Sequence, residues 1–209
     1  MSVAERAEAL YARVRSCTKC ALARTRTHAV PGEGPLDAEV MLIGEAPGVN
    51  EDRLGRPFVG AAGAFLEELL AKAGYRRDQV YICNVLKCRP PGNRDPMPIE
   101  IQACSEYLTE QLDLVSPLVV VTLGRFSMAR FFPNERISRM HGRPKRVGDR
   151  YYVPMYHPAA ALHQQNLRTI IMHDFRQLPA IIERARSERP RVPEAEAASQ
   201  PVQQMRLFD

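Results

Sequence analysis

Val40-Met41-Leu42-Ile43 runs directly into Gly44-Glu45-Ala46-Pro47-Gly48. A short apolar run bounded by turn residues reads as a strand, predicted here over 39–43. The Gly and Pro behind it let the backbone come close to a ligand and hold it rigid there. The arrangement recurs once, where Tyr152-Val153-Pro154-Met155-Tyr156 ends in His157-Pro158-Ala159-Ala160. In an open α/β sheet, ligands bind outside the carboxyl ends of the strands, because the loops there converge over one crevice. A His fixed by the Pro that follows it is placed to donate to charge building on a substrate.

Outward from these runs, strand and helix patterns alternate. Apolar residues at helical spacing predict a helix over 3–16. Helices are also predicted over 61–73, closed by Gly74, and over 98–115, with Pro98 in the first turn. A β-branched and aromatic run predicts a strand over 80–86. Leu118-Val119-Val120-Val121-Thr122-Leu123 is a continuous apolar strand of the kind buried on both faces of a parallel sheet. A short helix from Gly124 to Phe131, a last strand over 151–156 and a final helix over 167–184 complete the pattern. The segment from Gly44 to Gly60 reads as one long loop, and loops of that length inside a domain are usually functional. The predicted fold is a three-layer α/β/α domain over 1–186 with a central, mostly parallel four-stranded sheet. From Ser187 onward the chain is rich in Glu, Pro, Ala and Gln, and 187–209 is predicted to be a disordered tail.

A length of 209 residues suits one such domain and is short for two. The net charge of +5 and pI near 9.1 permit a polyanionic partner without demanding one. The N-terminus lacks the apolar core of a signal peptide and no run is long enough to span a bilayer, so the chain is read as cytoplasmic, with no membrane partner. Five cysteines in that setting argue against a disulfide framework. Cys17-Thr18-Lys19-Cys20 is a pair spaced to grip a metal or cluster, and Cys88 and Cys104 complete a set of four. Zinc and an iron–sulfur cluster both accept four thiolates, and the spacing does not separate them. Cys83, inside an apolar run, reads as a small buried hydrophobe.

Together, the Gly44-Glu45-Ala46-Pro47-Gly48 loop, Asn84 followed by Lys87-Cys88-Arg89-Pro90-Pro91, and His157-Pro158-Ala159-Ala160 closely resemble the family-four uracil-DNA glycosylases, from about Cys17 to the last helix. The resemblance implies a monomer that flips uracil out of DNA and hydrolyses its N-glycosidic bond, starting base excision repair. It implies a 4Fe-4S cluster on Cys17, Cys20, Cys88 and Cys104, remote from the reacting base and structural in role.

Chemistry fits the same residues to the task. Phe58 offers a stacking platform, and Asn84 supplies the donor and acceptor that match uracil O4 and N3–H. Backbone groups around Gly44, Glu45 and Ala46 complete the base contacts. His157 stabilises the charge developing on uracil O2. Ala46 stands where better-known uracil glycosylases carry the Asp that positions the attacking water. Glu45, Glu51 and Asp52 are therefore the carboxylates to consider, with Asn93 as a neutral alternative, and Glu45 is the one expected to be catalytic. A related group traps the sugar on a His placed after the third cysteine. Arg89-Pro90-Pro91-Gly92-Asn93-Arg94-Asp95 holds none, so turnover is expected. The basic loop around His141, Arg143, Lys145 and Arg146 is a candidate for phosphate contact. A reading of another class, a non-catalytic zinc- or cluster-stapled nucleic-acid-binding module, accounts for the thiols and charge but leaves the two loops idle. Finally, Gln204-Met205-Arg206-Leu207-Phe208 resembles the peptide by which bacterial repair proteins dock on the sliding clamp, with Gln204, Leu207 and Phe208 as its anchors.

Overall fold

The sheet is laid down in the order β2-β1-β3-β5-β4. In chain order, the computed structural model has α1 (Val3–Ser16), β1 (Val40–Gly44), α2 (Val49–Leu54), α3 (Ala61–Lys72), β2 (Tyr81–Asn84), α4 (Pro98–Val115) and β3 (Val119–Leu123). These are followed by α5 (Arg125–Ala129), α6 (Ile137–Met140), β4 (Lys145–Val147), β5 (Arg150–Met155), α7 (Pro158–His163), α8 (Gln165–Arg176) and α9 (Leu178–Glu188). The structure describes residues 1–188; the rest of the predicted tail and the clamp-like peptide lie outside the described residues. Among the described residues no helix is long and apolar enough to cross a membrane.

Strands β2, β1, β3 and β5 are mutually parallel, with Gly44 beside Asn84 at the carboxyl end of the β1–β2 pair. Chain order reverses between β1 and β3, which makes the carboxyl edge there the natural crevice of the sheet. Alternate residues of each strand serve opposite layers. Val40, Leu42, Val119, Val121 and Val153 pack with Phe65, Leu69, Phe175 and Ile182 from α3, α8 and α9. Met41, Ile43, Tyr81, Cys83 and Val120 pack with Leu108, Leu112 and Val115 of α4. Helix α1 closes the outside of α4 through Ala7, Leu10 and Val14, and its Tyr11 hydroxyl shares a 2.8 Å hydrogen bond with that of Tyr81. Burying both faces of the strands is what the unbroken apolar runs require.

Four expectations are corrected. The sheet has five strands, not four. The additional strand, Lys145-Arg146-Val147, is exposed along its length and antiparallel to β5 through a turn at Gly148. A charged edge strand has no apolar alternation to betray it, and its charges discourage pairing with another chain. The segment 44–60 is not all loop, since α2 is held inside it by Glu51, whose carboxylate accepts from the Gly48 N–H at the helix start. The final helix is two helices that break at Gln177, with Pro179 in the first turn of α9. Helix α9 runs to Glu188, past the expected end of the domain; Glu188 accepts from the Tyr151 hydroxyl and pairs with Arg146 and Arg184.

Candidate active site

The loops after β1, β2 and β5 meet over the carboxyl edge and enclose a cavity of about 360 Å³, lined by Glu45, Ala46, Pro47, Gly48, Glu51, Phe58, Ala62, Asn84, Pro90, Asn93, Arg94, His157 and Ala159. Of the residues predicted to contact the base, Glu45, Ala46, Phe58, Asn84 and His157 line it, and Gly44 lies directly behind Asn84 and Phe58. Hydrogen bonds from Val85 N–H to the Gly44 carbonyl and from Leu86 N–H to the Glu45 carbonyl, both 3.0 Å, lash the β1 loop to the β2 exit. Gly44 is required for this closeness: a Cβ there would lie 2.3 Å from Asn84 Oδ1 and 2.8 Å from the Phe58 ring. Asn84 is 2% exposed, and its Oδ1 is buried without a hydrogen-bond partner. An orphaned buried acceptor in a cavity wall is costly unless a ligand completes it.

His157 is the N-cap of α7, and its Nδ1 accepts from the Ala159 N–H at 3.1 Å. Nδ1 therefore carries no proton, and the neutral ring must carry its hydrogen on Nε2, free to donate into the cavity. Burial pushes the imidazole down to about 4, against the opposing pull of Glu51, so the ring is neutral at physiological pH. Gly124, at φ +94°, lets the turn after β3 pass this close, since a Cβ there would sit 3.2 Å from the His157 Cβ. The sequence reading gave Gly124 only the opening of a helix.

Phe58 stacks on His157 with centroids 5.5 Å apart, and the two rings form one aromatic wall. Its backbone is left-handed at φ 50°, unfavourable for a bulky residue, and is over-determined by its neighbours. Arg77 donates to the carbonyls of Pro57 and Phe58, while Glu51 accepts from the N–H groups of Val59 and Gly60 at 2.8 and 2.9 Å. Gly63 leaves room for this loop, since a Cβ there would lie 2.0 Å from the Phe58 carbonyl oxygen.

These contacts sort the carboxylates. Both oxygens of Glu51 are taken by backbone N–H groups, with Gly48 N–H at 3.1 Å the third. Asp52 is buried and accepts from Thr27 N–H, on the segment before the sheet. Glu45 remains in the cavity wall, pushed up to about 7 by burial and by Asp95, against the pull of Arg125. Asn93 also lines the cavity, but its Oδ1 accepts from Arg89 Nε at 2.7 Å. Glu51 is thus a brace between two loops. Its one sequence signal is a Glu three residues after Gly48, the spacing at which a helix's third residue reaches back to the N-cap N–H.

Cys17, Cys20, Cys88 and Cys104 line a separate small cavity with Lys19, Arg26, Lys87 and Tyr107, while Cys83 belongs to the core on the α4 side of the sheet. No three His, Cys, Asp or Glu side chains among the described residues converge as a set for a single metal ion. The surroundings suit thiolate ligands. Arg26 Nη1 donates to Cys88 Sγ at 3.1 Å and Lys87 N–H to Cys104 Sγ at 3.3 Å. Burial raises the free thiol of Cys104 to about 11 and also raises Cys88, so a bound cationic centre would have to displace those protons. The donor set fits a thiolate-ligated centre.

His141 is partly exposed, with its Nδ1 2.8 Å from Asp174 Oδ2 and its ring packed on Tyr156. Lys145 and Arg146 pair with Glu135 and Glu188. The Gly142 N–H bonds the Pro154 carbonyl, which fixes this loop beside the exit of β5, on the same edge as the cavity.

A three-layer fold with such a crevice defines a class. The profile described as the uracil DNA glycosylase superfamily matches residues 31–176, and the chain belongs to that superfamily. It is 48% identical to a type-4 uracil-DNA glycosylase of Sulfurisphaera tokodaii over 82% of each chain. It is equally identical to the Archaeoglobus fulgidus type-4 enzyme, over 79% of this chain and 87% of that one. Identity to the Thermotoga maritima type-4 enzyme is 41%, over 85% and 95% of the two chains. The chain is a member of the type-4 family.

Proposed function

We propose that this chain is a uracil-DNA glycosylase of base excision repair, acting as a monomer in the cytoplasm. The observation that carries the reading is the buried, unpartnered Oδ1 of Asn84, set in the cavity that His157 and Phe58 also line. A flipped base enters that cavity, rests on Phe58 and is read along its edge by Asn84. A base of the wrong hydrogen-bonding pattern leaves the buried amide unpaired, which is a strong source of rejection. When the bond between sugar C1′ and uracil N1 breaks, its electron pair goes to the base, and His157 Nε2–H donates to O2 as charge accumulates there. Water adds to the electron-poor C1′ and gives up a proton. Glu45, the carboxylate with no hydrogen-bond obligation, orients that water or balances the sugar's positive charge. The products are free uracil and an abasic site.

Cys17, Cys20, Cys88 and Cys104 would hold a 4Fe-4S cluster, and its contribution when bound is to cross-link the segment after α1 to the β2 exit and α4. Exposed Arg139 and Arg143, on the loop beside the cavity edge, meet DNA phosphates. The Gln204–Phe208 peptide docks the enzyme on the sliding clamp.

An oligonucleotide assay tests the central claim. The wild-type chain should convert a uracil-containing strand into an alkali-labile abasic strand, and His157→Ala should lower the single-turnover rate roughly 100- to 1000-fold. DNA binding without cleavage by the wild type would favour the non-catalytic module instead.

A further inference from the structure

Lys87 is the one buried cation among the described residues, at 1% exposure. Its ammonium is held between two neutral acceptors, the Asn84 carbonyl at 2.6 Å and Gln111 Oε1 at 2.5 Å. Gln111 cannot turn away, because its amide nitrogen donates to the Pro31 carbonyl and the Tyr81 hydroxyl. Packing alone does not explain an ammonium here. A Met of similar length would fill the space without the desolvation that a buried charge carries.

The acceptor it chooses is informative. The peptide joining Asn84 to Val85 presents its carbonyl to Lys87 and its N–H to the Gly44 carbonyl, 3.0 Å away. A charged donor on one end of a peptide strengthens the hydrogen bond at the other. Lys87 is tied at its own backbone as well: its N–H donates to Cys104 Sγ and its carbonyl accepts from Val30 N–H at 2.7 Å. One residue therefore touches the thiol-lined cavity with its main chain and the base-reading strand end with its side chain.

We propose that Lys87 is a positioning residue for base excision, fixing the Asn84–Val85 peptide so that the Asn84 amide and the Gly44 loop stay in register, and anchoring that register on the cysteine cavity. This rests on the glycosylase reading above. The glycosylase reading fails separately, if the wild type leaves uracil DNA intact.

The test uses the full chain with Lys87→Met and Lys87→Arg. Iron per protein, visible absorbance, thermal midpoint, affinity for abasic-site DNA and single-turnover rate on uracil DNA are measured together. Lys87→Met should keep its iron and its affinity for abasic DNA while the single-turnover rate falls roughly 10- to 100-fold, the span of one lost hydrogen bond to a charged group. Lys87→Arg, which retains donors with altered reach, should fall between the two. A structural role alone would shift the midpoint or iron content and leave the rate per cluster-loaded molecule unchanged. That result, or a wild-type rate in Lys87→Met, overturns the proposal. Should the Met variant fail to fold, Lys87→Arg decides: a lowered rate at full iron content supports positioning, and an unchanged rate refutes it.

Discussion

Two titratable side chains in one cavity are driven apart by their surroundings. His157 is held neutral down to about pH 4, because burial disfavours the imidazolium. Glu45 titrates near 7, because burial and the neighbouring Asp95 disfavour the carboxylate. The expected signs follow. If the ionised form of Glu45 serves the water or the sugar cation, the single-turnover rate rises about tenfold per pH unit below pH ~7 and levels above it. His157 adds no limb near 6.5, the usual imidazole range. Glu45→Gln should flatten the profile as well as lower it. A wild-type profile in that variant would remove Glu45 from the chemistry. Sequence named the possible carboxylates and favoured Glu45, but could not say what occupies the other two. The choice depends on which backbone N–H groups point at which side chain, and Glu51 and Asp52 are consumed by amides of Gly48, Val59, Gly60 and Thr27.

Among the elements, legibility tracked burial. Helices α1 and α4 begin and end where their apolar spacing predicted, and β1, β3 and β5 sit within a residue or two of their apolar runs. The strand β4 and the helix α2 went unread because neither buries an apolar face: β4 is exposed along its length, and α2 exposes Val49 and Leu54 while burying Asp52. The cysteines belong to this scale because they come from three separate segments: Cys17 and Cys20 from the turn after α1, Cys88 from the loop after β2, and Cys104 from within α4. A group bound by all four contributes its binding energy to folding. Cys88→Ser and Cys104→Ser should therefore lose iron and thermal stability together. Cys83→Ala, in the core between β2 and α4 and outside the lining of the thiol cavity, should keep its iron and lose only the stability of a small cavity, about 1 kcal/mol. Iron lost with Cys83 and retained without Cys88 would invalidate the ligand set.

For the whole molecule, the question is how a repair enzyme of net charge +5 finds its sites. Electrostatic attraction to phosphate is independent of sequence and falls steeply with salt, so it brings the crevice to DNA without choosing where on the genome. The terminal peptide Gln204-Met205-Arg206-Leu207-Phe208, outside the described residues, offers a second means. It places two large apolar side chains together behind a polar, Pro-rich stretch. A pocket on the sliding clamp would accept Leu207 and Phe208 and would hold the enzyme at newly replicated DNA. Ordering a short peptide on binding is costly, so the affinity should be weak, on the order of micromolar. Calorimetric titration of a bacterial sliding clamp with the full chain and with a chain ending at Gln203 measures this directly. The full chain should bind and the shortened one should lose at least about tenfold in affinity, a difference of about 1.4 kcal/mol. Equal binding by both, or none by either, would exclude the docking role. On a short free oligonucleotide the two chains should cleave at the same rate, because on the proposed reading the peptide serves delivery and the cavity at the sheet edge serves chemistry.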